Sequence, residues 1–141
     1  MNYLKTISFR AWDKKEQVML YGVDSAYDML SGWVKYENGE SAGYDADCFG
    51  EFIHNKRYVT EQYINLHDKN KKKIYEGDVL WDQTDHLKLI VVFNESCAEF
   101  DLQEMEQPKR LWGFCHGGPG SELLEVIGNI HELERKKVFK E

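Results

Sequence analysis

Paired carboxylates are the usual equipment for general acid–base chemistry, and Glu76-Gly77-Asp78 sets two of them on either side of a glycine. No nucleophile, base or metal-ligand spacing accompanies them, so the segment reads as a turn entering a strand rather than as an active site. Cys115 and His116 are metal-ligand types, but neighbours in a strand point to opposite faces and do not easily share one ion. His54, His67, His86 and His131 are scattered. Cys48, Cys97 and Cys115 are odd in number and far apart, without a Cys-x-x-Cys pair, so neither a zinc ribbon nor a disulfide framework is indicated. There is no Gly-x-Ser-x-Gly element, and no Lys-Ser/Thr pair follows the glycines of 113–120. The expectation is a non-enzymatic protein: no catalytic residue, no cofactor, no metal.

Charge narrows the partners. The chain of 141 residues carries 18 basic and 25 acidic side chains, a net charge of −7. Between Glu76 and Glu106 nine acids face a single base, Lys88. That window is either a solvated face, an acidic docking surface or a mimic of nucleic-acid charge. It argues against general phosphate binding. The single basic cluster is Lys69, Lys71, Lys72 and Lys73. It is first of all an exposed polar turn; with Arg135-Lys136-Lys137 it forms the alternative, a nucleic-acid contact.

With 42% hydrophobic and 13% aromatic residues the chain is expected to bury a real core. Its longest apolar run, Leu89-Ile90-Val91-Val92-Phe93, is too short to span a bilayer, and Met1-Asn2-Tyr3-Leu4-Lys5 lacks the apolar centre of a signal peptide. A reduced, cytoplasmic setting without membrane contact is expected.

The elements that must position these residues are mostly strands. Ile7, Phe9 and Ala11 alternate with Ser8 and Arg10, then Asp13 to Glu16 turn the chain into Val18–Tyr21, a β-hairpin. An Arg10–Asp13 pair, or a cation over Trp12, is expected to anchor it. Val23 to Leu30 reads as a short irregular helix, Trp33–Tyr36 as a strand, and 41–57 as a loop-rich crossover. Tyr58–Leu66 is a strand before the polar turn 68–73. Five short strands follow, at 78–81, 87–93, 98–102, 110–114 and 123–130, a spacing that suits a small barrel or a strongly bent sheet. A charged helix over 131–140 closes the chain. The fold class is therefore mainly β, with an N-terminal hairpin-based portion over 1–57 and a second portion over 58–141.

Three blocks carry a resemblance. Ile7-Ser8-Phe9-Arg10-Ala11-Trp12-Asp13 with Met19 resembles the opening of the YopX family of phage and prophage proteins. Tyr63-Ile64-Asn65-Leu66-His67-Asp68-Lys69-Asn70 with Lys73-Ile74-Tyr75-Glu76-Gly77-Asp78-Val79 is similar to its middle segment, and Val126-Ile127-Gly128-Asn129-Ile130-His131-Glu132 to its ending. Asn65 and Lys71 stand where the family usually has glycine. Asn tolerates the left-handed backbone region, whereas Lys71 could keep such a turn only at a cost. The resemblance implies an SH3-like barrel for 58–141, a phage or prophage origin and a homo-oligomer. It supplies no activity.

The expected function is accordingly an oligomeric protein-interaction module. Aromatic anchors with an acidic rim would suit a basic protein partner, and Tyr75, Glu76, Asp78, Trp81 and Trp112 are the candidate contact residues. The alternatives are nucleic-acid association through the lysine turn and an acidic charge-mimic inhibitor of a host protein.

Overall fold

The structure, a computed structural model, describes residues 6–28, 32–107, 111–114 and 120–138, the last four of them as backbone only. The chain is mainly β and forms two compact units, residues 1–63 and 64–141. The expectations for Cys115, His116 and Gly117–Pro119 lie outside the described residues, as do those for Arg110 and for the last three positions.

In the first unit the predicted hairpin is present: β1 (Phe9–Asp13) pairs antiparallel with β2 (Val18–Tyr21). Phe9 and Ala11 point into a core with Leu20, Val23, Val34, Phe52 and Tyr58, as period-two alternation requires. The expected helix after β2 is a single 3-10 turn, Val23–Ser25. A two-residue strand, β3 (Lys35–Tyr36), pairs with β2. The crossover of 41–57, expected to be loop-rich, contains a helix, α1 (Phe49–His54). Glu51 supports its start by accepting the Asp47 N–H at 2.9 Å. Packing does the rest: Phe52 is fully buried, 5.4 Å from the Tyr44 ring and 4.7 Å from that of Tyr58.

The expected Arg10–Asp13 pair does not form. Three residues is an odd separation, so the two side chains leave the strand on opposite faces. Each finds a partner near β4 (Tyr58–His67) instead. Arg10 bonds Glu61, its register neighbour, at 2.8 Å, and both are buried. Asp13 receives both Arg57 Nε at 2.9 Å and Arg57 Nη2 at 2.8 Å.

The second unit takes up the end of β4 and pairs it with β5 (Lys73–Tyr75). A meander follows: β6 (Asp78–Asp82), β7 (Leu87–Asn94), β8 (Glu99–Glu104) and β9 (Leu111–Gly113). β10 (Leu124–Asn129) returns to lie against β6, giving the order β10-β6-β7-β8-β9. Ile74, Leu80, Leu89, Val91, Leu102 and Leu124 form the buried core. The sheet is antiparallel and open, with β10 and β9 at its edges, and a closed SH3-like barrel is not confirmed by this pairing. The C-terminal helix α2 (Ile130–Val138) begins where Asn129 Oδ1 accepts the N–H groups of His131 and Glu132, each at 3.0 Å.

Candidate functional site

The residues that could do chemistry are placed first by turns. Gly77, at φ 86°, bends the chain between β5 and β6, which leaves Asp78 buried with Oδ2 accepting the Tyr75 N–H at 2.8 Å. The Gly77 N–H goes to the Val91 carbonyl at 2.9 Å, and its own carbonyl accepts the Ile130 N–H at 3.0 Å. Glu76-Gly77-Asp78 thus ties β5, β6, β7 and the start of α2 together. Its aspartate is held by a backbone bond, and Glu76 is half-buried.

The turn before β5 is organised in the same way. Asp68 is buried, and its Oδ1 accepts the N–H groups of Asn70 and Lys72, both at 2.8 Å. Its Oδ2 accepts the Val126 N–H at 2.9 Å, while the Lys69 N–H meets the Leu124 carbonyl at 2.9 Å. The turn is therefore docked along β10. Burial pushes the Asp68 carboxyl up, but the bonds from Val126, Lys72 and Asn70 outweigh it and leave the group below its ordinary value. Both glycine-type positions of this block keep the left-handed conformation, Asn65 at φ 64° and Lys71 at φ 65°. Lys71 thus takes up the left-handed backbone conformation that glycine adopts freely.

Around this framework Lys69, Lys71, Lys72 and Lys73 are all exposed, with Lys69 Nζ 3.9 Å from Glu125. The side chains of Arg135, Lys136 and Lys137 lie outside the description.

The acidic window is less acidic at the surface than its composition suggests. Asp78, Asp82, Asp101 and Glu104 are buried, four of the nine acids. Asp82 Oδ1 accepts the Thr84 and Asp85 N–H groups at 3.0 and 3.4 Å. Glu104 accepts the indole N–H of Trp112 at 3.0 Å. Glu76 is half-buried, and Asp85, Glu95, Glu99 and Glu106 are exposed.

The aromatic candidates are not brought together. Tyr75 is buried. Trp81 and Trp112 are both half-buried, but register sets them on opposite faces of the second sheet. Trp112 lies across from Leu102, itself across from Val91, on the core face. Trp81 lies across from Lys88 and Glu125 on the other face, its ring 5.8 Å from that of His86. Two features were not expected from the sequence. One is Asp101, whose Oδ2 takes a bond from Asn94 Nδ2 at 2.9 Å while Oδ1 has no partner among the described residues. The other is the exposed Phe93, edge-on to Phe100 at the end of the β7–β8 hairpin. The alternation Leu89-Val91-Phe93 held that second signal, since it extends an inward row beyond the core.

Among the described residues no group of three or more His, Cys, Asp and Glu side chains is placed to hold a metal ion, and Cys48 and Cys97 are free and exposed. No helix among them is long and apolar enough to cross a membrane.

Comparison with known proteins adds family and fold. A family model described as YopX protein matches residues 8–134. The crystal structure of protein EF1440 from Enterococcus faecalis is similar, with 24% identity and a TM-score of 0.54, over 94% of this chain and 99% of that one. That likeness speaks for the fold. No curated protein matches.

Proposed function

This chain belongs to the YopX family, and from that premise we propose that it is a non-enzymatic, oligomeric protein-interaction module of phage or prophage origin. What supports the reading is the use made of the buried carboxylates. Asp13, Asp68, Asp78, Asp82 and Glu104 each accept hydrogen bonds from turn backbone, an arginine or an indole, so the groups best suited to acid–base work serve the fold. Apolar side chains, by contrast, stay at the surface of the second unit: Phe93, Leu111, Leu123 and Ile127. Surface aromatics and aliphatics framed by charge suit protein contacts.

The test is chemical cross-linking of the full chain in the cells that express it, followed by mass spectrometry, with light scattering on the purified protein. Cross-linked partners and a mass above 16.6 kDa are expected. A monodisperse monomer at every concentration, with no cross-linked species, would sink the proposal.

Two further readings each have an observation in their favour. Four exposed lysines on one short turn favour a nucleic-acid contact, which a mobility shift at low salt with DNA and RNA would reveal. The exposed acids of the 76–106 window favour charge mimicry, which predicts capture of a basic protein that weakens as salt rises.

A further inference from the structure

On the face of the second sheet away from its core, one row of side chains crosses three strands. Register sets Glu125 of β10, Trp81 of β6 and Lys88 of β7 side by side. The row runs on into the lysine turn, because Lys69 Nζ lies 3.9 Å from Glu125 Oε2 and Asn70 Nδ2 donates to Glu125 Oε1 at 3.4 Å. Lys88, the single base of the acidic window, is exposed at the other end, with Trp81 half-buried between the two cationic flanks. Neighbouring strands lie about 4.8 Å apart, so Lys88 stands about 10 Å from Glu125 across the row. The turn holds its cations at a cost, since Lys71 sits at φ 65°, where glycine would be free of strain. The N–H groups of Lys69, Asn70, Lys71 and Lys72 are all bonded within the second unit, which fixes the loop and leaves its exposed side chains, four of them lysine, to meet a ligand. Lysine is depleted at protein interfaces, but it serves phosphate well as a point charge.

We infer that this row is a contact surface for single-stranded nucleic acid. A base stacks on Trp81, and the flanking phosphates are neutralised by Lys88 on one side and the lysine turn on the other. The inference rests on the nucleic-acid reading above and assigns its surface and the kind of strand it takes. Stacked nucleotides rise about 3.4 Å each, so about three of them span the row. A duplex keeps its bases stacked on one another and would meet the cations but not the indole. Glu125 within the row and the exposed Asp85 in the adjoining turn work against the phosphates.

Fluorescence anisotropy on the full chain tests it, with a labelled oligothymidylate, a duplex of the same length, and polyglutamate as competitor. The single strand is expected to bind more tightly than the duplex and to resist polyglutamate. Trp81→Ala should weaken binding about tenfold and Trp81→Phe less than about threefold, since any aromatic ring offers a base a stacking face. Lys88→Gln, at an exposed position, should flatten the slope of log affinity against log salt by about 0.7, as should Lys71→Gly. Glu125→Gln should tighten binding. Lys71→Gly relieves backbone strain, so its weaker binding is not a loss of folding. Equal or tighter binding of the duplex would overturn the stacking row, as would wild-type affinity and salt slope in Lys88→Gln. A loss confined to Lys71→Gly would leave a phosphate contact at the turn and overturn the row alone. Displacement of the strand by polyglutamate at matched charge would assign the surface to an acidic protein and overturn it too. A wild-type chain that binds neither strand nor duplex sinks the nucleic-acid reading itself.

Discussion

In the first unit the carboxylate of Asp13 is gripped by the guanidinium fork of Arg57, with the Lys15 and Glu16 N–H groups adding bonds at 3.0 and 3.2 Å. In the second unit the carboxylate of Asp68 receives backbone N–H groups from Asn70, Lys72 and Val126. Both are buried aspartates at a turn, and in both burial pushes the carboxyl up while the bonds outweigh it and hold it below 3.8. One site draws its two shortest bonds from a side chain 44 residues away. The other depends on the position of a strand, because β10 must lie alongside for Val126 to donate. An ion pair can be removed by one mutation, whereas a backbone cradle can be removed only by deleting the acceptor itself.

The largest effect should come from that deletion. Asp68→Ala leaves three N–H donors without their acceptor and undocks the 68–72 turn from β10, so a loss of about 3 kcal/mol is expected in urea unfolding. A loss below about 1 kcal/mol would mean that water replaces the carboxylate freely and that the turn is not pinned to β10 through it. Arg57→Ala should cost less, about 2 kcal/mol, because Asp13 keeps its two backbone donors and Arg57 is partly open to solvent. If the order reverses, the arginine fork is the stronger hold of the two.

Acid sharpens the same contrast. A carboxyl depressed in the folded state contributes stability that is fully present above its unfolded value, and that is lost as pH falls through the folded one. Both aspartates lie on this side, so stability should fall below about pH 4. Asp68→Asn should flatten that fall without abolishing it, because Asp13 still titrates in the same direction. Urea midpoints measured from neutral pH downward would show it; an unchanged slope would remove Asp68 from the acid response.

The parts of this architecture that rest on local pattern are legible in the sequence. The hairpin follows from Phe9 and Ala11 alternating with Arg10, and the left-handed tolerance of Asn65 follows from its residue type. Relations between strands are not. That Arg10 meets Glu61, that Asp13 meets Arg57, and that Trp81 and Trp112 face apart all depend on register between distant segments. Parity along one strand says which neighbours share a face, but not which face of the sheet becomes the core. The acidic window misleads for the same reason, since composition cannot separate Asp82, buried at a turn, from Asp85 three residues on and exposed. Helix α1 was hidden because Gly43, Asp45, Asp47 and Gly50 outweigh Phe49 and Phe52 on propensity, whereas tertiary packing decides.

The smallest effects should separate the two turns by backbone alone. Lys71 at φ 65° and Gln17 at φ 58° both hold a conformation that costs an ordinary side chain about 1–2 kcal/mol. Glycine removes that cost but gives the unfolded chain more freedom, so Lys71→Gly should gain about 0.5–1 kcal/mol. Gln17→Gly should gain less, because it also discards the bond from Gln17 Nε2 to the Lys14 carbonyl at 2.7 Å. Asn65→Gly should change little, since asparagine already tolerates the region at its φ of 64°. Thermal melts of the three variants rank them directly. If Asn65→Gly gained as much as Lys71→Gly, the identity of the side chain would not set the cost, and the lysine in this turn would need another explanation than the one its φ supplies.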